Sequence, residues 1–162
     1  MEARHLKFQT HSDKDTIRLG REIGALLSAG DVVALIGPLG SGKTWLTKGI
    51  ALGLGVDPGM VITSPSFSLV NEYRAGHTLY HMDLYRLERI SDILATGLEE
   101  YLYNDGVAVV EWADRLPEIL PEWSITVRLE ILDNQDRDIT IEGDHTRAIE
   151  IIKQLESNKD CW

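Results

Sequence analysis

Cysteine is almost missing from this sequence. The 162 residues contain only Cys161, which excludes an internal disulfide and a cysteine-based metal cluster. No apolar run approaches the roughly 20 residues of a membrane-spanning helix, and the residues after Met1 lack the apolar core of a secretory signal peptide. We therefore expect a cytoplasmic protein that does not contact a membrane.

Positive charge is also scarce. Lys and Arg number 16 and Asp and Glu number 26, so the net charge is −10. Proteins bind nucleic-acid backbones mainly by neutralising phosphates with Lys and Arg. We expect no strong direct binding to RNA or DNA, and an acidic surface that suits a basic protein partner.

Linkers, internal repeats and low-complexity tracts are absent as well. A chain of 162 residues is long enough for one well-buried domain and short for two. We expect residues 1–162 to form a single domain.

The most informative stretch is Gly37-Pro38-Leu39-Gly40-Ser41-Gly42-Lys43-Thr44. It matches the Walker A motif, G-x-x-x-x-G-K-[ST], and lies between an apolar run at 32–36 and a segment with helical spacing at 45–52. Glycines let successive N–H groups turn toward an anion at the helix N-terminus. Lys43 would contact the β- and γ-phosphates, and the Thr44 hydroxyl would bind Mg²⁺.

The remaining patterns predict alternating helices and strands. We expect strands at 6–8, 32–36, 69–73, 78–83, 107–110, 125–131 and 137–141. We expect helices from an N-cap at Ser12 to Gly30, from the motif to the glycines at 53–55, from 91 to a turn at 104–106, and over 146–155. This order predicts an α/β fold, a P-loop NTPase-like three-layer sandwich with a mixed, largely parallel central sheet.

Two acidic residues end predicted strands and are candidates for the second half of the site. A Walker A site needs a carboxylate near the Mg²⁺ and a group that positions the attacking water. We assign Asp83 to the water shell of the magnesium and Glu111 to the metal or to water activation. The reverse assignment stays open, and an ordinary strand-terminal carboxylate is the alternative for each.

Three further observations leave alternatives open. Ser66 lies in a hydroxyl-rich loop, 63–68, where it would sense the γ-phosphate, although Ser-Pro-Ser is also ordinary turn chemistry. Trp112 would stack on a base or a partner, or belong to the core. His77 and His81 have no companions at zinc-ligand spacing, so we interpret both as structural.

The guanine-specific Asn-Lys-x-Asp motif is absent, since 158–160 lacks the spacer and no Asp-x-x-Gly follows the Walker A motif. Adenine, in ATP or ADP, is favoured by elimination.

Four motifs together resemble one family. They are 37–44, 64–73, His-x-Asp-Leu-Tyr-Arg-Leu at 81–87 and Val-Glu-Trp at 110–112, in the order and spacing of the bacterial TsaE (formerly YjeE) family. The resemblance covers nearly the whole chain. It implies a cytoplasmic Mg²⁺-dependent ATPase of tRNA threonylcarbamoyladenosine biosynthesis that docks on the TsaB–TsaD pair and is slow without these partners.

The resemblance also implies roles for residues. Thr44 and Glu111 match the magnesium positions, Asp83 matches the Walker B-like carboxylate, and Ser66 stands where the family usually has threonine. Lys43, Asp83, Glu111 and Ser66 form the expected catalytic set. The expected nucleotide-binding set is Thr10, Ser12, Pro38, Leu39, Gly40, Ser41, Gly42, Lys43, Thr44, Trp45 and Arg137.

Two other functions remain alternatives. A small-molecule P-loop kinase fits the length and the motif, but the sequence has no compact Arg-rich lid. A nucleotide-sensing adaptor would bind ATP or ADP and signal by docking without catalysis.

Overall fold

A seven-stranded sheet forms the middle of the computed structural model, which describes residues 3–65 and 69–159. The strands are β1 (Arg4–Thr10), β2 (Val32–Ile36), β3 (Val70–Tyr73), β4 (Leu79–Asp83), β5 (Val107–Glu111), β6 (Ile125–Ile131) and β7 (Arg137–Gly143). The helices are α1 (Asp13–Leu26), α2 (Lys43–Leu54), α3 (Ile90–Thr96), α4 (Glu99–Leu102) and α5 (Thr146–Asn158). None of the helices within the described ranges combines the length and apolar character that crossing a membrane requires.

The sheet is mixed. Its strand order is β1-β7-β6-β2-β5-β4-β3, and the neighbours β4, β5, β2 and β6 run parallel. β3 pairs antiparallel with β4, and β7 pairs antiparallel with both β6 and β1. The predicted α/β class, the parallel centre and the two hairpins are confirmed. Because β2, β4 and β5 are parallel, the loop after β2 and the ends of β4 and β5 lie at one edge.

Both faces of the central strands are covered. In β2, Val33 and Leu35 pack in a core shared with α1, α2 and α5. Val32 and Ala34 point the other way, into a core shared with α3 and α4. Alternate side chains of a strand point to opposite faces, so a strand without polar residues needs a helical layer on each side. The predicted three-layer sandwich follows from this.

Helices α1 and α2 pack at backbone distance. A Cβ built on Gly49 of α2 would lie 2.1 Å from the Ile17 carbonyl oxygen, and one on Gly20 of α1 would lie 2.3 Å from the Leu46 carbonyl oxygen. Gly24 and Gly53 meet the opposite helix equally closely, each at 2.3 Å from a backbone oxygen. Only glycine permits this contact, which fixes α2, and therefore its N-terminus, against α1.

Several predicted helix boundaries are wrong. The first helix ends at Leu26 instead of Gly30. The second ends at Leu54 with Gly55, whose φ is +95°, as its C-cap, so its predicted end at the glycines of 53–55 is confirmed. The third is divided at Gly97, which has φ +74°, into α3 and α4. The first strand is longer than expected because β1 pairs with β7 along its full length, from Arg4 to Thr10.

A partly buried ion pair, between Arg147 and the buried Asp31, joins α5 to the segment before β2. The Arg147 guanidinium donates to both carboxylate oxygens of Asp31, at 2.8 to 3.2 Å, and to the Leu26 carbonyl at 2.8 Å. Asp31 is buried and also accepts from the Ser28 N–H at 2.7 Å. The hydrogen bond to Asp31 raises the pKa of Arg147. This pair attaches the C-terminal helix to the edge of α1.

Gly49→Ala is expected to destabilise the protein strongly. The added carbon meets a backbone oxygen at 2.1 Å, so the two helices must separate. Overpacking of this kind costs on the order of 3 kcal/mol, more than the roughly 1 kcal/mol gained from the helix propensity of alanine. Urea unfolding measures the difference. Gly76→Ala is the control, because nothing lies within 4 Å of its Cβ position; equal stability of the two variants would contradict the close contact.

Arg147→Met is expected to cost about 2 kcal/mol, because the Asp31 carboxylate stays buried and loses its charged partner. Arg4→Met is the matched control: its pair with Glu156 is on the surface, and such pairs contribute less than about 1 kcal/mol. Thermal and urea unfolding of both variants test the contrast. A cost for Arg147→Met no larger than that for Arg4→Met would be inconsistent with a structural role of the Arg147–Asp31 pair.

Candidate functional site

The loop between β2 and α2, residues 37–42, has a backbone that needs glycine. Gly40 and Gly42 have φ of +79° and +103°, in the left-handed region. A Cβ on Gly37 would lie 2.6 Å from the Ser41 hydroxyl and 2.8 Å from the Leu129 carbonyl oxygen. Gly42 is the N-cap of α2 and supplies no side-chain cap. The first N–H groups of α2 therefore have no side-chain acceptor from the capping position, and they point toward the mouth of the loop.

A cavity of about 440 Å³ opens at this point. Its walls come from the loop, the first turn of α2, the ends of β4 and β5, and the start of β7. They consist of Leu39, Gly40, Gly42, Lys43, Thr44, Trp45, Ser64, Asp83, Tyr85, Arg86, Glu111, Trp112 and Arg137. The cavity lies at the carboxyl edge of the parallel strands, where α/β proteins bind ligands.

Lys43 is the buried cation of the site. Its Nζ donates to the carbonyl oxygens of Gly37 at 2.6 Å and Pro38 at 3.0 Å, and it lies 4.1 Å from the centre of the Trp112 ring. Burial lowers the pKa of Lys43, while Glu111, Asp83 and, more weakly, Asp114 oppose that shift. An anionic ligand beside the ammonium would favour its charged form. The Lys43 ammonium can therefore contact an incoming anion if it gives up its hydrogen bonds to the Gly37 and Pro38 carbonyl oxygens.

Asp83 is held on both carboxylate oxygens. One accepts from the Ser64 hydroxyl at 2.6 Å and the other from the Tyr85 N–H at 2.8 Å. Asp83 is also the register partner of Glu111 across the β4–β5 pair. The two acidic side chains thus stand beside each other at neighbouring strand ends, and both are buried.

Glu111 is held on one oxygen only. Its Oε2 forms a short hydrogen bond with Nε2 of His81. No hydrogen bond joins its Oε1 to the rest of the described chain, and the side chain lines the cavity. Among residues 3–65 and 69–159, no group of three His, Cys, Asp or Glu side chains is arranged to bind a metal. A divalent cation here would need hydroxyl, water or ligand oxygens in addition to carboxylate.

Trp112 forms the wall opposite the loop. It has φ +57° and ψ +37°, which a bulky residue rarely adopts. Its ring packs 4.9 Å from that of Tyr85, whose other contact is the Arg115 guanidinium at 5.0 Å. Trp112 is half-buried, so it belongs to the cavity wall as well as to the second core. The strained backbone turns the ring toward Lys43.

Arg137 braces the loop from the start of β7. Its guanidinium donates to the carbonyl oxygens of Ser41 at 3.0 Å and Gly40 at 3.1 Å, and also to that of Gln135. A planar guanidinium can hold several carbonyls in one plane. Arg137 also lines the cavity, so it contacts both the loop and the space in front of it.

The structure brings most of the predicted site residues together around the cavity, with five exceptions. Pro38 and Ser41 belong to the loop but do not line the cavity. The Thr10 hydroxyl is buried against that of Thr16 at 2.9 Å, and the Ser12 hydroxyl caps α1 by accepting from the Asp15 N–H. Ser66 lies outside the described residues.

The sequence-based prediction missed His81, Ser64 and Tyr85 as site residues. His81 and Asp83 are two positions apart on one strand, a spacing that puts both side chains on one face. This spacing could have indicated that His81 lies on the same side of the sheet as the carboxylate of Asp83.

The fold and the site together define a class of protein. It is an α/β protein with a glycine-rich loop between the central strand β2 and the helix α2. Two acidic side chains, Asp83 and Glu111, lie at the ends of the strands β4 and β5. A family model described as "Threonylcarbamoyl adenosine biosynthesis protein TsaE" matches residues 10–139. The chain belongs to the TsaE family, which confirms the resemblance seen in the four motifs.

Individual proteins of the TsaE family are also similar to this chain. The tRNA threonylcarbamoyladenosine biosynthesis protein TsaE of Treponema pallidum is 45% identical over 132 residues, covering 82% of this chain and 96% of that protein. The protein of the same name from Bacillus subtilis is 39% identical over 138 residues, covering 85% of each. The crystal structure of Bacillus subtilis YdiB superimposes with a TM-score of 0.82 and 32% identity, covering 98% of this chain and 99% of that one.

The sequence leads us to expect that the cavity binds ATP or ADP. On that expectation, Arg137→Ala should weaken ADP binding by about tenfold, or 1.4 kcal/mol, because the loop loses the guanidinium that holds two of its carbonyls. Arg137→Lys should restore little, since an ammonium cannot replace the planar fork. Calorimetric titration with ADP measures both. Arg128→Ala is the control, because Arg128 pairs with Glu142 on the surface. Full affinity in Arg137→Lys would show that charge alone is needed.

Proposed function

We propose that this chain is the ATP-binding and ATP-hydrolysing subunit of the cytoplasmic machinery that forms N6-threonylcarbamoyladenosine in tRNA. One observation carries the proposal. In a member of the TsaE family, an uncapped helix N-terminus, a buried lysine, a hydroxyl and two carboxylates all meet at one cavity. These groups match the needs of a triphosphate with a divalent cation.

The roles follow from the chemistry of each group. The loop and the α2 N-terminus would bind the phosphates through N–H groups, and Lys43 would exchange its carbonyl contacts for phosphate oxygens. Thr44 and Glu111 offer hard oxygen ligands for Mg²⁺, and Asp83 would hold water beside it. When bound, Mg²⁺ would neutralise phosphate charge and orient the terminal phosphate.

The carboxylates of Asp83 and Glu111 differ in how many of their oxygens already accept a hydrogen bond. Both oxygens of Asp83 are engaged by Ser64 and Tyr85, whereas Glu111 has one oxygen free of such bonds. This favours Glu111 as the direct ligand or the group that orients the attacking water, and Asp83 as the outer carboxylate. Glu111 would act on water by accepting a hydrogen bond from it at the cavity wall.

We infer that the protein acts by docking on a TsaB–TsaD pair instead of on tRNA itself. The net charge of −10 disfavours a nucleic-acid backbone and suits a basic protein surface. ATP hydrolysis would then time the complex, and the Ser66 hydroxyl would be the group that senses the γ-phosphate.

ATP turnover of the chain, alone and with its partners, tests this function. We expect slow release of free phosphate without any added acceptor, and faster release with TsaB and TsaD. Equal rates in both cases, or no turnover in either, would contradict the proposal. Phosphate transfer only to an added small molecule would indicate a kinase.

Two variants separate binding from hydrolysis. Lys43→Ala should abolish measurable nucleotide binding, because the buried cation is lost. Glu111→Ala should keep nucleotide binding and lower turnover by at least about 100-fold. Lys153→Ala, an exposed lysine of α5, is the control and should change neither. Retained function of the complex with Glu111→Ala would favour the adaptor.

A further inference from the structure

His81 is a fully buried polar side chain for which the proposed function has no role. Its exposed fraction is 0%, and it lies in the middle of β4 between Tyr80 and Met82. Burying an imidazole is costly unless it is hydrogen-bonded. A larger apolar residue would fill the same space at no such cost, so the hydrogen bond that His81 makes is what distinguishes the position.

That hydrogen bond reaches the site from inside the sheet. His81 and Asp83 share one face of β4, and Asp83 is the register partner of Glu111 on β5. His81 is therefore one step deeper in the sheet than the pair of carboxylates, and its Nε2 meets Oε2 of Glu111 diagonally across the strands. The other oxygen, Oε1, has no hydrogen-bond partner among the described residues, and the Glu111 side chain lines the cavity.

The chemistry of the two side chains decides which one donates in the hydrogen bond between His81 and Glu111. An ionised carboxylate only accepts, so Nε2 of His81 must donate. Nδ1 is buried and has no partner among the described residues. A proton there would be an unpaired buried donor, so Nδ1 is the bare nitrogen of the ring. His81 therefore presents one fixed N–H to Glu111.

We propose that His81 is a positioning residue that holds Oε2 of Glu111 and so directs Oε1 to the bound Mg²⁺ or its water. The inference rests on the proposed function, since it concerns the same carboxylate. A glutamate side chain loses rotamer freedom when it is fixed, and that loss opposes binding if it occurs only when the ligand arrives. His81 fixes it before the ligand arrives, in the manner of outer partners that orient metal ligands.

The experiment compares His81→Gln with His81→Met. The two side chains have similar size and shape, but only glutamine can donate to Glu111. Calorimetry measures the Kd for ADP in EDTA and in MgCl₂, and the Mg²⁺ concentration that half-saturates the ADP complex. We expect His81→Met to need about 10 to 100 times more Mg²⁺, with an unchanged Kd in EDTA. His81→Gln should recover most of the loss.

Two controls make the result specific. His77→Met changes an exposed histidine before β4 and should leave Mg²⁺ dependence unaltered. In a Glu111→Ala background, His81→Met should cause no further loss of Mg²⁺ affinity, because its effect passes through that carboxylate. If His81→Met does not fold, His81→Phe replaces it as the variant without a donor.

The outcomes separate this inference from the function on which it rests. If ADP binding by the unmodified protein does not respond to Mg²⁺, the metal role of the site is wrong and the inference falls with it. If the unmodified protein responds and His81→Met responds equally, only the inference is overturned. It is also overturned if His81→Met weakens binding equally in EDTA and in Mg²⁺, or if His81→Gln is no better than His81→Met.

Discussion

The rest of this structure depends on the contact between the backbones of α1 and α2. Four glycines, Gly20 and Gly24 on one helix and Gly49 and Gly53 on the other, bring carbonyl oxygens to positions where any Cβ would collide. The contact fixes the axis of α2, and the glycine-rich loop and its uncapped N-terminus move with that axis. The start of α1 is itself anchored, because Thr16 pairs with Thr10 of the edge strand β1. The position of the cavity at the α2 N-terminus is thus set by the packing of α1 against α2.

The charged side chains of the site do not balance. A lysine and two arginines, Lys43, Arg86 and Arg137, line the same cavity as the carboxylates of Asp83 and Glu111. Burial lowers the pKa of Lys43, and the neighbouring carboxylates oppose that shift. Lys43 meanwhile contacts loop carbonyls, which are weaker partners than an anion. Three cationic side chains therefore face two carboxylates, and this excess of positive charge favours an anionic ligand.

Local patterns in the sequence predict the strands, the loop and the hairpins because each is decided within a few residues. The continuous apolar run at 32–36 and the glycines at 40 and 42 are examples. The helix–helix contact escaped prediction because Gly53 was interpreted as a helix end, whereas its place is explained only by Arg21 on another helix. His81 escaped for the same reason: its partner, Glu111, lies 30 residues away, and the pair exists only in one strand register.

Asp83 links the cavity to the loop that precedes β3. Its carboxylate accepts from Ser64 on one side of that loop, and its N–H donates to the Leu69 carbonyl at 3.1 Å on the other side. The Leu69 N–H in turn donates to the Pro65 carbonyl at 2.9 Å. Both ends of the segment are therefore tied to a single acidic residue at the cavity wall.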